Sequence, residues 1–250
     1  MENTTAGAVP VVEFRARALA PVALFKSEAD IRFYLNGICV QPGPDGVGCY
    51  VIGCDGHRLA LWYDAAGKCS RRVVLRVTRE LVSASRKKGA KDSRVVLDGG
   101  RLVIAGCQEY FVQAGKAEIE LGTVGAGDFR HKQDYPNVFN VIPKQSELQP
   151  GALCPINGAY FEDIGKASKL INGGAKFGYA VWHFTKANTG PMVTRFEGEE
   201  NFLVVTMPMR SDGFERWSML PVSMRSAAID LSTSAPATLL HPMGSMGEAV

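Results

Sequence analysis

Apolar positions recur with two periods along this chain, and strand-like and helix-like stretches follow one another in an order that repeats. Residues 11–17 (VVEFRAR) alternate and predict a strand. Ala20 to Ala29 predicts a short helix, with Pro21 near its first turn, where no amide partner is lost. Residues 31–62 then hold three short β-prone runs. The first, Ile31 to Val40, sets Ile31, Phe33 and Leu35 against Arg32, Tyr34 and Asn36, and it breaks at the loop Gln41-Pro-Gly-Pro-Asp-Gly46. The second, Cys49–Cys54, meets the third, His57–Trp62, across Asp55-Gly56. Asp-Gly between apolar runs predicts a hairpin whose turn takes positive φ at both central residues. This is one β-α-β-β-β module.

A second module begins with the strand Arg72–Val77. Thr78 caps a predicted helix running to about Lys88, where Gly89 stops it. Strands are expected at Ser93–Leu97, Arg101–Ala105 and Tyr110–Ala114, followed by β-prone sequence from Ala117 to Val124. The polar loop Gly125–Asp134 leads into a linker, Pro136 to Pro143. A third module starts near Ala152, with a helix capped by Asn157, running from Ala159 to Ile171 and ended by Asn172-Gly-Gly174. Strands at Gly178–Thr185, Met192–Glu197 and Phe202–Met209 complete it. Beyond Arg210 a tail rich in Ser, Ala, Pro and Met lacks sustained periodicity and is expected to be loosely held. Helices backed by antiparallel strands, repeated about three times, predict an α+β fold.

Composition narrows the function classes. A chain of 250 residues with 46% hydrophobic content can build one large core or two smaller ones. The net charge of +3 is too small to announce a nucleic-acid binder, so distribution must decide. Between Arg71 and Arg94 nine basic residues face only Glu80 and Asp92. The cysteines at 39, 49, 54, 69, 107 and 154 form no C-x-x-C pair and read as reduced, buried thiols. No basic start precedes an apolar core at the N-terminus and no run of about 18 apolar residues occurs, so the expectation is a soluble, cytoplasmic protein without a membrane span.

Three motifs carry a resemblance. Arg32-Phe-Tyr-Leu-Asn-Gly37, followed by Cys54-Asp-Gly-His-Arg-Leu-Ala60, resembles the middle domain of the bacterial sliding clamp, the β subunit of DNA polymerase III, where an Arg-aromatic-Tyr-Leu-Asn-Gly strand precedes a TDGHRLA hairpin. Tyr135-Pro-Asn-Val-Phe-Asn-Val-Ile-Pro143 is similar to that family's FPDYxxVIP segment, and Val204-Val-Thr-Met-Pro-Met-Arg210 to its terminal VVMPMR. The three fall in the family's order over residues 11–210. The resemblance implies a shortened, phage-type member with the DNA-clamp fold. Residues 1–145 correspond to a middle domain, 146–212 to half of a C-terminal domain, and 213–250 to the tail. It implies a ring homo-oligomer around double-stranded DNA that tethers DNA polymerase and other proteins with a clamp-binding motif. An ATP-driven clamp loader is implied as a further partner. The family's first domain and the front half of its last have no counterpart here.

Two sets of site residues follow. The resemblance places a peptide groove on Leu35, Cys54, Gly56, His57, Arg58 and Leu59, on Pro136 and Val141 of the linker, and on Val205, Met207, Pro208, Met209 and Arg210. Leu, Val and paired Met suit varied apolar peptides, and Arg58 and Arg210 suit carboxylates of a partner. Read alone, Met207-Pro-Met209 is equally a strand end capping a core. Cys54 stands where the family has Thr, which removes a hydroxyl. For DNA, helical spacing puts Arg79, Ser83, Arg86 and Lys87 on one face, opposite Leu81, Val82 and Ser85. Such a face is either an ordinary solvated one or, in a clamp, a set of phosphate contacts that reads no sequence. Lys166 and Lys169 share a face with Glu162 and are weaker candidates, because acid-early, base-late order also suits a helix dipole. Arg32, Phe33 and Tyr34 join the DNA set through the resemblance; by pattern alone they are half-buried packing.

Catalysis has no support. His57 and Asp55 sit on a hairpin without a G-x-S-x-G or catalytic-Cys context, Gly122, Gly125 and Gly127 lack P-loop spacing and its lysine, and His57, His131, His183 and His241 share no metal-ligand spacing. No cofactor is expected. The rival to a ring is a clamp-like interaction protein, a decoy or regulator that sequesters clamp-binding motifs.

Overall fold

The computed structural model of this chain describes residues 10–90, 92–98, 101–105, 135–150, 154–174, 176–185 and 190–209. Its architecture is α+β, as the repeated pattern predicts. Strand β1 (Val12–Arg15) runs directly into helix α1 (Ala16–Ala23). Then come β2 (Ile38–Pro42), β3 (Cys49–Cys54), β4 (Arg58–Asp64), β5 (Lys68–Cys69) and β6 (Val73–Leu75). Helix α2 (Arg79–Ser85) leads to β7 (Arg94–Asp98), β8 (Arg101–Ala105) and β9 (Gln149–Pro150). Helix α3 (Ala159–Ile171) leads to β10 (Val181–Thr185), β11 (Met192–Phe196) and β12 (Glu199–Thr206).

Two antiparallel sheets form, ordered β5-β1-β7-β8 and β6-β2-β3-β4-β12-β11-β10-β9. The larger is continued from the first module into the third by β4 against β12, with Leu59 opposite Val205 and Leu61 opposite Leu203. It therefore crosses the expected division at residue 145 without interruption, and residues up to Met209 gather into one compact unit.

Strand alternation separates two cores. On one face Ile38, Val40, Val51, Ala60, Trp62, Phe202 and Val204 meet Leu19 and Val22 of α1, Leu81 and Ala84 of α2, and Ile164, Ala167 and Ile171 of α3. The smaller sheet adds Val12, Phe14, Val95, Leu97, Leu102 and Ile104 to the same cluster. On the other face Cys39, Ile52, Leu59, Leu61, Val193 and Val205 lie beneath Tyr135 and Val138, with Phe139, Ile142 and Leu148 packed at the margin. All three described helices thus share one face of the large sheet, and the linker covers the other. Burial of each such apolar side chain contributes roughly 1.5–3 kcal/mol. Gly53 lies close beneath α1: a Cβ there would lie 2.3 Å from the Val22 carbonyl oxygen, so only glycine fits.

Local chemistry explains the helices. The Thr78 hydroxyl accepts the Leu81 amide at 3.2 Å, the predicted cap of α2. Asn157 Oδ1 accepts the Ala159 amide, and Gly173 and Gly174 end α3 with positive φ, as expected.

Three expectations need correction. The strand over Ile31–Val40 exists only from Ile38; Phe33–Asn36 form a 3-10 turn, and Ile31 is 96% exposed while Leu35 is buried. The Leu35 amide donates to the Arg32 carbonyl, and Asp30 and Asn36 exchange two further bonds, so local pairing replaces a sheet ladder. Helix α1 begins at Ala16 rather than Ala20, which moves Pro21 from the first turn to the interior. Ala16, Ala18, Leu19, Ala20 and Val22 all bury, so one continuous apolar stripe overrides the proline. Helix α2 ends at Ser85, three residues before the expected Lys88, and residues 88–90 form a separate 3-10 turn. The expected strands Tyr110–Ala114 and Ala117–Val124, the loop Gly125–Asp134 and the tail lie outside the described residues.

Candidate functional site

The β3–β4 hairpin closes differently from the expected turn. The Asp55 amide donates to the Arg58 carbonyl at 3.1 Å, so the loop residues are Gly56 and His57. Gly56 has φ 91°, while Asp55 and His57 are not among the positive-φ residues. Asp55 works through its carboxylate instead, whose Oδ1 accepts the amides of His57 (2.9 Å) and Arg58 (2.8 Å). The Arg32 guanidinium lies close over this turn, its Nη2 2.7 Å from where a Cβ at position 56 would stand.

Arg58 is engaged within the chain on two of its guanidinium nitrogens. Its Nε pairs with Asp55 Oδ2 at 2.8 Å and its Nη1 with Asp163 Oδ2 of α3 at 2.6 Å. The guanidinium also lies over the rings of Tyr160 (4.6 Å) and Phe25 (5.3 Å), and the side chain is 11% exposed. Burial penalises its charge, but the Asp163 and Asp55 hydrogen bonds outweigh that and raise its pKa. Burial likewise works to raise the Asp163 carboxyl, yet Arg58 and Lys166 hold it below the ordinary carboxylate value. Any role of Arg58 in holding a partner's carboxylate would have to be met by a guanidinium whose Nε and Nη1 already pair with two of the chain's own carboxylates.

The expected groove residues divide by burial into two sets. Leu35, Cys54, Leu59 and Val205 are buried together in the second core. His57, Pro136, Val141, Met207 (37%) and Met209 (53%) are exposed, and Pro208 is half-buried. The segment after β12 runs beside the hairpin: the Met207 amide donates to the His57 carbonyl at 2.8 Å, and the Met209 amide to the Pro155 carbonyl at 2.7 Å. Cys54 keeps a polar role without the hydroxyl, its sulfur accepting the Gly56 amide at 3.3 Å. Arg210 lies outside the described residues.

The helix face carries the cations. Arg79, Ser83, Arg86 and Lys87 are all exposed, but only Arg79 and Ser83 lie within α2; Arg86 is its C-cap and Lys87 follows it. Lys169, in the last turn of α3, is exposed too. Among the described residues, no carboxylate pairs with Arg79, Arg86 or Lys169. Lys166 differs: Glu162 (2.8 Å) and Asp163 (3.2 Å) both hold its ammonium. A cavity of about 670 Å³ opens where the three helices approach, with Arg17, Pro21, Ser83, Arg86, Lys87 and Asn172 in its wall. The alternating pattern of residues 11–17 hides Arg17, which belongs to α1 rather than to a strand; it is tied to Glu199 at 2.9 Å and lies over Trp62.

Arg32, Phe33 and Tyr34 do not join that face. Arg32 forms a two-point pair with Asp30 and leans on the Gly56 turn. That pairing lowers the Asp30 carboxyl to about 2. Tyr34 packs edge-on against Tyr135 in the linker-covered core, and Phe33 stands beside it.

The described cysteines are unpaired, and burial raises the Cys39 and Cys49 thiols to about 12 and Cys69 to about 11, which leaves them protonated. Among the described residues no group of three metal-ligating side chains exists, and no helix is long and apolar enough to cross a membrane.

No protein-family model and no curated protein matches the sequence. The fold, however, is that of bacterial DNA polymerase sliding clamps. The Pseudomonas aeruginosa sliding clamp superposes with a TM-score of 0.52 at 14% identity, covering 84% of this chain and 69% of that one. The sliding clamp (DNA polymerase III subunit beta) of Bartonella birtlesii, bound to griselimycin, gives 0.51 at 15% identity over 84% and 68%.

Proposed function

We propose that this chain is a DNA sliding clamp, a non-enzymatic processivity factor whose copies close a ring around duplex DNA. The observation that carries this reading is the placement of all three described helices on one face of a continuous sheet, with Arg79, Arg86 and Lys169 exposed there and paired with no carboxylate among the described residues. Cations so arranged neutralise phosphates without reading bases, which permits sliding. The sliding-clamp fold supports it, and an ATP-driven loader would open and close the ring. The rim formed by His57, Pro136, Val141, Met207 and Met209 would gather polymerase and other enzymes by their clamp-binding motifs, raising their effective concentration at DNA.

Topology supplies the test. Loaded on nicked circular duplex by a clamp loader and ATP, the protein is expected to co-elute with DNA and to fall off once the circle is cut. Equal loss from circles and linear DNA would reject the ring and favour the decoy or regulator.

The rim makes its own prediction. Met207→Asp with Met209→Asp is expected to weaken binding of a short apolar clamp-motif peptide by about tenfold or more, equivalent to about 1.4 kcal/mol. Titration by fluorescence anisotropy measures it, and an unchanged Kd removes these methionines from the site.

A further inference from the structure

One unbroken chain of polar contacts joins the helix face to the rim. Lys166 Nζ lies 3.2 Å from Asp163 Oδ1, and Asp163 Oδ2 lies 2.6 Å from Arg58 Nη1. Arg58 Nε lies 2.8 Å from Asp55 Oδ2, and Asp55 Oδ1 accepts the His57 and Arg58 amides. The His57 carbonyl then accepts the Met207 amide at 2.8 Å. Asp163 gives one oxygen to each side. At one end Lys166 is half-exposed in the helix that also presents Lys169; at the other stands Met207 of the rim.

We propose that Asp163 is a positioning residue of the peptide rim, and that a DNA phosphate drawn to Lys166 sets how firmly it holds Arg58. The proposal rests on the reading of helix face and rim given above. The links differ in strength, and that decides which one yields. Lys166 shares its ammonium between two carboxylates at the surface, where ion pairs are weak and screened, so a phosphate competes for it readily. The Arg58 contacts are shielded between two rings and persist. When a phosphate takes Lys166, the Asp163 carboxylate keeps its charge and has Arg58 as its remaining cation. The Arg58 bridge tightens, the Gly56-His57 turn is held more rigidly, and the His57 carbonyl stays aimed at Met207. Binding coupling is reciprocal, so a rim peptide would in turn strengthen the hold on DNA.

The test needs no ligand to begin. Amide hydrogen exchange of His57, Arg58 and Met207 is followed by NMR in the whole protein, with Val51 and Ala60 as core references for global stability. Lys166→Gln, which removes the competing ammonium, is expected to slow the three amides about threefold while Lys166→Arg leaves them at the wild-type rate. Asp163→Asn is expected to speed them by more than it speeds the core references, and to abolish the response to Lys166→Gln in the double variant. Unchanged exchange in Lys166→Gln, or a response that survives Asp163→Asn, overturns the relay. A 20-base-pair duplex added to wild type is then expected to reproduce the slowing. A relay intact in the variants but silent to a duplex that binds elsewhere overturns the phosphate step alone. A duplex that fails to bind at all overturns the phosphate step too, and counts against the clamp reading rather than against the Asp163 positioning role.

Discussion

Reversing three cations of the helix face together, Arg79→Glu, Arg86→Glu and Lys169→Glu, is expected to weaken duplex binding about a hundredfold near physiological salt. Each phosphate neutralised by Lys or Arg releases a counterion, and the slope of log affinity against log salt changes by about 0.9 for each phosphate no longer neutralised. Giving up three phosphates should flatten that slope by nearly three, which separates a phosphate role from any general damage. The side chains are exposed and paired with no carboxylate among the described residues, so the fold should lose no more than about 0.5 kcal/mol per position. Arg32→Glu is the informative control, since its guanidinium is already held by Asp30 and leans on the hairpin turn. It is expected to change DNA affinity far less than any of the three. Anisotropy of a labelled duplex across a salt series reads both quantities. If the triple variant keeps its affinity and slope, the helix face is an ordinary charged surface.

Legibility in the sequence followed the range of the interactions involved. The α3 boundaries, the Thr78 cap, the hairpin's existence and the exposed face of α2 depend on neighbours a few residues away, and the pattern contained them. Residues 31–36 alternate like a strand yet form a turn, because Asp30 and Asn36 satisfy each other's groups across it. Pro21 pointed to a helix start, but burial of a whole alanine-rich stripe decided the matter from Ala16. Long-range pairing was hidden. Nothing around Arg58 announces Asp163, which lies far along the chain and reads as an ordinary acid in the first half of a helix. Nor does the linker sequence show that Tyr135 and Val138 pack over the sheet and bury Leu35, Cys54, Leu59 and Val205 in one core. The three motifs of the resemblance point to the hairpin and the segment after β12, while which of their side chains are exposed depends on tertiary packing.

Arg58→Met is expected to destabilise the fold by about 3 kcal/mol at neutral pH, because it leaves two largely shielded carboxylates without their shared cation. Methionine retains much of the contact with Phe25 and Tyr160, so the loss is mainly electrostatic, and its pH dependence tests that. In the wild type Asp163 titrates below its ordinary value of 3.8. Its stabilising contribution is therefore present above that value and fades as pH falls through the lower, folded one. In the variant only Lys166 remains beside Asp163, and burial pushes the carboxyl upward. Protonation then relieves the variant while it weakens the wild type, so the stability gap should shrink as pH falls from about 7 to about 3.5. Urea unfolding at the two pH values measures it. Asp163→Asn added to Arg58→Met should recover part of the loss at about pH 7 and less of it as pH falls and Asp163 in the single variant takes up its proton. A gap equal at both pH values would place the cost in packing of the guanidinium between the rings, and the charged bridge from hairpin to α3 would then be incidental to stability.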